Sequence, residues 1–153
     1  LIVGDAYVVV GGVVVGSLLI QVLAALAAMF GHIWSAFLKF QGGRGVSVFA
    51  GALLVLCPPA ALFGGVVIIG VIALTRYVSL GSIAGAVGTY VILAPLTILS
   101  GYPVECLLYT FIGAVVIIFM HRDNIARLVS GTERKLGEKA RKRSFSSSTP
   151  SKS

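Results

Sequence analysis

The chain has 153 residues, of which 58% are hydrophobic and 11% charged, with a formal net charge of +7 and a mean hydropathy of +1.03. Soluble domains carry about 25% charged residues, so this composition excludes an ordinary soluble protein. It predicts an all-α fold, a polytopic transmembrane helix bundle. No polar stretch is long enough to build a second core. One membrane-embedded domain over 1–137 is therefore expected, with a basic, serine-rich, disordered tail over 138–153 (EKARKRSFSSSTPSKS) whose Lys and Arg can touch anionic lipid. Leu1 is not an initiator methionine and apolar sequence begins almost at once, so the chain is expected to be a fragment of a longer protein.

In chain order, residues 6–30 (AYVVVGGVVVGSLLIQVLAALAAMF) contain no charge and suffice for one crossing of about 20 residues. They are too long, and lack the basic flank, for a signal peptide. The polar segment GHIWSAFLKFQGGRG follows at 31–45. Residues 46–75 are apolar throughout and interrupted only by Pro58-Pro59. A span over 77–99, with Pro95 near its end, and a short last span over 104–120 lead to a second polar segment, HRDNIARLVSGTERK, at 121–135.

Charge placement decides how often the chain crosses. Basic loops favour the cytoplasm. If 46–75 were a single span, the two polar segments would lie on opposite sides. If the chain turns at Pro58-Pro59, both segments and Arg76 face the cytoplasm, while Asp5 and Glu105 face out. The turn at the prolines is preferred, because 46–57 is short for a full crossing and neighbouring helices can cover its backbone. Gly12 and Gly16, and Gly81 and Gly85, have the small-xxx-small spacing of close helix packing. Cys57 and Cys106 sit at span ends without metal-ligand spacing and read as small buried hydrophobes.

Within the first polar segment, Gly42, Gly43 and Gly45 surround Arg44 directly before an apolar helix. Glycines turn backbone N–H groups toward a ligand, a helix N-terminus adds orphan donors, and arginine adds a fork for phosphate oxygens. The P-loop spacing is absent. A glycine turn with a positive-inside arginine is the plainer alternative. His32 suits either a structural role at the membrane edge or proton handling beside a phosphate. Trp34, Phe37 and Phe40 are interfacial anchors, and Lys39 either snorkels to headgroups or neutralises a substrate.

In the other segment, His121, Asn124 and Arg127 recur at helical spacing and share roughly one face, and Gly131 is placed to end that helix. The alternatives are a solvated juxtamembrane helix and a polar pocket held for a substrate. Ser79 and Ser82, in RYVSLGS at 76–82, belong to the same inferred side and suit helix caps or pocket walls.

Together these three elements resemble the PlsY family, the bacterial acyl-phosphate:glycerol-3-phosphate acyltransferases. GHIWSAFLKFQGGRGV resembles the family's G-H-x-x-P-x-F-x-x-F-x-G-G-K-G-V segment, with Ser35 in place of proline and Arg44 in place of lysine. HRDNIARLVSGTERK fills every fixed position of its H-x-x-N-I-x-R-L-x-x-G-x-E-x-K segment. The family's first helix and S-x-N-x-G-A-T-N segment are expected upstream of Leu1, so this stretch alone is expected to be inactive. The resemblance implies transfer of a fatty acyl group from acyl phosphate to the sn-1 hydroxyl of glycerol 3-phosphate, giving lysophosphatidic acid and phosphate for phospholipid synthesis. It implies catalytic roles for His32, His121 and Asn124, and phosphate binding by Gly42, Gly43, Arg44, Gly45 and Arg127. Lys39, Ser79, Ser82 and Glu133 complete the implied pocket. In the family the substrate phosphate is itself proposed as the base. No cofactor, metal or acyl-CoA is implied, nor a nucleic acid or obligatory protein partner; the surroundings are the lipids of a bacterial plasma membrane. The competing classes are a small transporter or lipid-binding module without catalysis, and a structural membrane subunit whose polar segments only anchor helices.

Overall fold

The structure, a computed structural model, describes residues 7–10, 13–35 and 42–138. Lys39, Phe37, Phe40, Gly12 and the tail beyond Glu138 lie outside the described residues. The elements are β1 (Tyr7–Val10), β2 (Val13–Gly16), α1 (Ser17–Ile33), α2 (Val46–Leu56), α3 (Pro58–Thr75), α4 (Val78–Ser100), α5 (Val104–Met120) and α6 (Arg122–Val129).

From Ser17 onward the described residues form the expected helical bundle. The expected single crossing over 6–30 is corrected at its start. Tyr7–Val10 and Val13–Gly16 pair as an antiparallel ribbon, with Val10 opposite Val13 and Tyr7 opposite Gly16. Two valine triplets around Gly-Gly are a strand–turn–strand pattern, since β-branched residues favour the pleated backbone and Gly-Gly suits a two-residue hairpin. Helix α1 begins only where valine gives way to leucine and alanine.

The break at Pro58-Pro59 is as expected. Helix α2 ends where the Cys57 N–H reaches the Leu53 carbonyl, and α3 starts on Pro58, whose missing donor costs nothing in a first turn. At 11 residues α2 is about 16 Å long, roughly half a hydrocarbon core. Helices α3 and α4 are each long and apolar enough to cross a membrane, and α5 and α6 form a pair bent by 61° at His121.

In lipid, helices associate through packing and not through hydrophobic expulsion, so small residues matter at contacts. Gly64 of α3 and Gly81 and Gly85 of α4 let these two helices touch. A Cβ on Gly85 would meet the Ile68 side chain and come within 3.1 Å of the Gly64 carbonyl. Leu26, Met29 and Ile33 form a buried stripe on α1. The Phe49 ring of α2 stacks on Tyr109 of α5, centroids 5.3 Å apart, in space that Gly113 leaves open. The Tyr109 hydroxyl donates to the Phe49 carbonyl at 3.2 Å. Leu74, Ile98 and Leu99 are exposed, as side chains facing hydrocarbon should be.

Contacts sort the chain into two ends. At one, Cys106 Sγ lies 3.6 Å from the Leu56 carbonyl, beside the α2–α3 turn. At the other, the start of α2, the start of α4 and the α5–α6 bend converge on one cavity. The two polar segments therefore meet at the same end, as the four-crossing count requires.

Replacing Gly85 by leucine is expected to destabilise the bundle by about 1–3 kcal/mol through overpacking. Gly65, beside which a Cβ meets nothing within 4 Å, should accept alanine with no loss, because alanine is the better helix former. Thermal unfolding in detergent checks the pair; equal behaviour of the two variants would contradict the α3–α4 contact.

Candidate active site

The GGRG turn is built by steric exclusion. Gly45 caps α2 with φ +79°, a left-handed conformation, and a Cβ there would lie 2.9 Å from Ile33 Cδ1 and 3.0 Å from Met29 Cε. Both the dihedral and the space select glycine. Behind it, Gly42 packs on the His32 and Ile33 carbonyls, and Gly43 on the His32 imidazole. No side chain caps α2, so the donors of its first turn are left to a ligand or solvent next to Arg44.

The opposite wall comes from the α5–α6 bend. His121 is only 2% exposed, and its Nδ1 lies 2.8 Å from the Ile117 carbonyl. Nδ1 therefore carries the proton and donates, and in the neutral ring Nε2 is left as an acceptor. Asn124 is buried one turn later, and its Oδ1 has no partner. Gly131, at φ +69°, ends α6 as expected, and residues 132–138 run back across the start of α4.

Glu133 on this returning segment is the hub. Its Oε1 accepts from Ser79 Oγ and from Asn124 Nδ2, each at 2.7 Å, and its Oε2 from Arg127 Nε at 2.7 Å. Burial alone would raise its pKa; the donors of Ser79, Asn124 and Arg127 outweigh that and hold it at about 2. His121 is shifted down, first by burial and then by the positive charge of Arg44, against the opposing pull of the Ile117 carbonyl. Near neutral pH an uncharged imidazole thus sits beside an ionised carboxylate.

Arg44, Ser79, Ser82, His121, Asn124 and Glu133 line one cavity of about 400 Å³. Arg127 reaches it only through Glu133. Gly42, Gly43 and His32 lie behind Arg44, and none of the three, nor Gly45, lines the cavity. Two features were missed in the sequence. Arg134 lines the cavity as well, although it stands at an unfixed position between Glu133 and Lys135. Arg76 adopts a left-handed backbone, φ 63°, accepts from the Leu136 N–H and donates to the Leu136 carbonyl, both at 2.7 Å. A further, apolar cavity of about 340 Å³ between α2, α3 and α4 shares Val46 and Ser82 with the polar one.

Against known proteins, the family profile described as glycerol-3-phosphate acyltransferase matches residues 2–131. The chain belongs to that family. A glycerol-3-phosphate acyltransferase 3 of Dehalococcoides mccartyi is 59% identical over 121 residues, 79% of this chain and 56% of the relative. A glycerol-3-phosphate acyltransferase of Halalkalibacterium halodurans is 47% identical over 116 residues, 76% of this chain and 56% of the relative. The crystal structure of PlsY (YgiH), an integral membrane glycerol 3-phosphate acyltransferase, in its glycerol 3-phosphate form, superposes with a TM-score of 0.71 at 34% identity, covering 78% of this chain and 57% of that one. Its lysophosphatidic acid form gives 0.70. This glycerol-3-phosphate acyltransferase family chain is thus a membrane protein, and it spans a little over half the length of the relatives it matches.

Acid should destabilise this family member. Glu133 and His121 both bind protons less readily folded than unfolded, so their contributions are full above the ordinary values of 4.5 and 6.5. The His121 contribution falls away as pH drops below 6.5, and that of Glu133 between 4.5 and about 2. The melting temperature is expected to fall between pH 7 and pH 4, and Glu133→Gln to remove the part below pH 4.5. A melting temperature that rises on acidification would contradict this assignment.

Proposed function

We propose that the protein carrying this chain is an acyl-phosphate:glycerol-3-phosphate acyltransferase of a bacterial plasma membrane. One observation carries the reading. A polar cavity lined by Arg44, a neutral histidine and Asn124, whose amide oxygen has no partner, shares the lining residues Val46 and Ser82 with an apolar cavity between helices. A substrate fitting both has a phosphate head and a hydrocarbon tail. The family relatives, named for glycerol-3-phosphate acylation, and the solved relative's glycerol 3-phosphate and lysophosphatidic acid forms support it.

In this reading the acyl chain lies along Phe49, Leu53 and Ala86. Its phosphate rests on Arg44 and the free donors at the start of α2. His121 Nε2 accepts from the sn-1 hydroxyl of glycerol 3-phosphate and aims its oxygen at the acyl carbon, while Asn124 Oδ1 accepts from the neighbouring sn-2 hydroxyl. The C–O ester bond forms, and the C–O bond to phosphate breaks with its electron pair leaving on phosphate. Burial and Arg44 make His121 a poor resting place for the proton, so the proton goes to the departing phosphate. No side-chain nucleophile is used, and neither cysteine lines the polar cavity. Glu133 keeps Asn124 turned so that its amide donates inward and its oxygen remains free. His32 acts through the Gly43 turn.

The same reading sets orientation. Arg44, Arg76 and the 121–135 segment share one end of the bundle, and basic residues favour the cytoplasm. Glycerol 3-phosphate then enters from the cytoplasm, while the acyl donor and product exchange with lipid.

In the full-length protein, palmitoyl phosphate and glycerol 3-phosphate should yield lysophosphatidic acid; a folded sample giving none refutes the reaction. Arg44→Ala is expected to cut turnover about 10²–10³-fold with the melting temperature unchanged, and near-normal kinetics would remove the phosphate cradle. For orientation, Ser130→Cys should react with an impermeant maleimide only from the cytoplasmic side and Ser100→Cys only from outside. The reverse labelling pattern would overturn the topology.

A further inference from the structure

The charges lining the polar cavity do not balance. Glu133 is its one acid among the described residues, and that carboxylate is taken by Arg127, Ser79 and Asn124. Arg44 and Arg134 both line the same cavity, and among the described residues neither forms an ion pair. Two guanidinium groups around one cavity, without a carboxylate for either, repel each other unless an anion lies between them. Asn124 lines the same space and carries a buried Oδ1 without a hydrogen-bond partner. The matching ligand is a phosphate monoester that also carries a hydroxyl.

Arg134 is not held there by chance of loop position. The segment that carries it is fastened on both sides. Glu133 is bound to α4 and α6, and Leu136 exchanges hydrogen bonds with Arg76 at 2.7 Å in each direction. Lys135 stacks over the Tyr77 ring, 5.6 Å from its centroid. Gly137, at φ +85°, lies close under the Arg76 guanidinium, leaving 3.2 Å to a hypothetical Cβ. Arg76 is thus a positioning residue, and residues 132–138 form a strap that presents Arg134 to the cavity.

We propose that Arg134 is an additional phosphate-binding residue, which takes the phosphate of glycerol 3-phosphate while Arg44 takes that of the acyl donor. This rests on the proposed acyl transfer and divides its two phosphates. Arg44 adjoins Val46, which lines both the polar and the apolar cavity, so it belongs with the lipid-tailed substrate. Arg134 is exposed on the strap, on the side open to a water-soluble substrate.

The test is calorimetric binding of sn-glycerol 3-phosphate, with inorganic phosphate as a companion probe, to the full-length protein in detergent, together with kinetics. Arg134→Ala should weaken glycerol 3-phosphate binding about 10- to 100-fold, the range of a lost charged hydrogen bond. It should raise KM for glycerol 3-phosphate by a similar factor, leave KM for palmitoyl phosphate unchanged, and keep the parent melting temperature. Arg134→Lys should recover part of the loss, and Arg76→Gly, which suits the left-handed backbone but lacks the guanidinium, should weaken the same binding. Parent-like binding by Arg134→Ala overturns the proposal and leaves the acyltransferase reading standing. Binding that depends on Arg134 in a protein that transfers no acyl group keeps the site and overturns the reaction. A parent protein that binds neither probe overturns both.

Discussion

The Glu133 carboxylate is the interaction on which the site depends. It gathers one donor from α4 and two from α6, all at 2.7 Å. Each is a charge-assisted hydrogen bond of the stronger kind. That convergence ties the start of α4, the end of the bent α5–α6 pair and the returning strap together, beside the hydrogen bonds that Arg76 exchanges with Leu136. Glu133 also removes itself from chemistry: a carboxylate held at about pKa 2 by three donors is neither acid nor base near neutrality. Its work is to orient Asn124 and anchor the wall that Arg134 shares.

Membrane physics explains why this hub lies at one end. Hydrocarbon offers no partners to polar groups, so charged side chains gather at helix termini and irregular backbone is tolerated only where protein covers it. Helix α2, only about 16 Å long, turns back into α3 at Pro58. That hairpin leaves an apolar space beside α4 that shares Val46 and Ser82 with the polar cavity. The bundle packs through Gly64, Gly81, Gly85 and Gly113, which give rigidity without bulk. The result is a polar cavity at one end of the bundle with an apolar cavity beside it.

Much of this was legible in the sequence because it is local. Pro58-Pro59 broke a long apolar run, Gly131 ended a helix, and Gly81 and Gly85 marked a close contact. Placing the basic residues on one side required an even number of crossings, and the two polar segments do meet. Other features were hidden for physical reasons. Hydropathy alone made 6–30 one span, although its valine triplets around Gly-Gly carried a ribbon signal. Ser79 and Glu133 touch across 54 residues, a distance no helical period can reveal. His32 lies behind the glycine turn, whereas Arg134, an ordinary juxtamembrane charge by sequence, lines the cavity.

Two distant polar segments and the start of α4 line one cavity, and as walls of one ligand site they should respond together. Hydrogen–deuterium exchange of the full-length protein with and without sn-glycerol 3-phosphate tests that directly. The predicted result is joint protection of peptides covering 42–48, 78–82 and 121–136, with no change around the Cys57 and Cys106 end. Protection confined to one polar segment, or spread equally to the far end of the bundle, would contradict it.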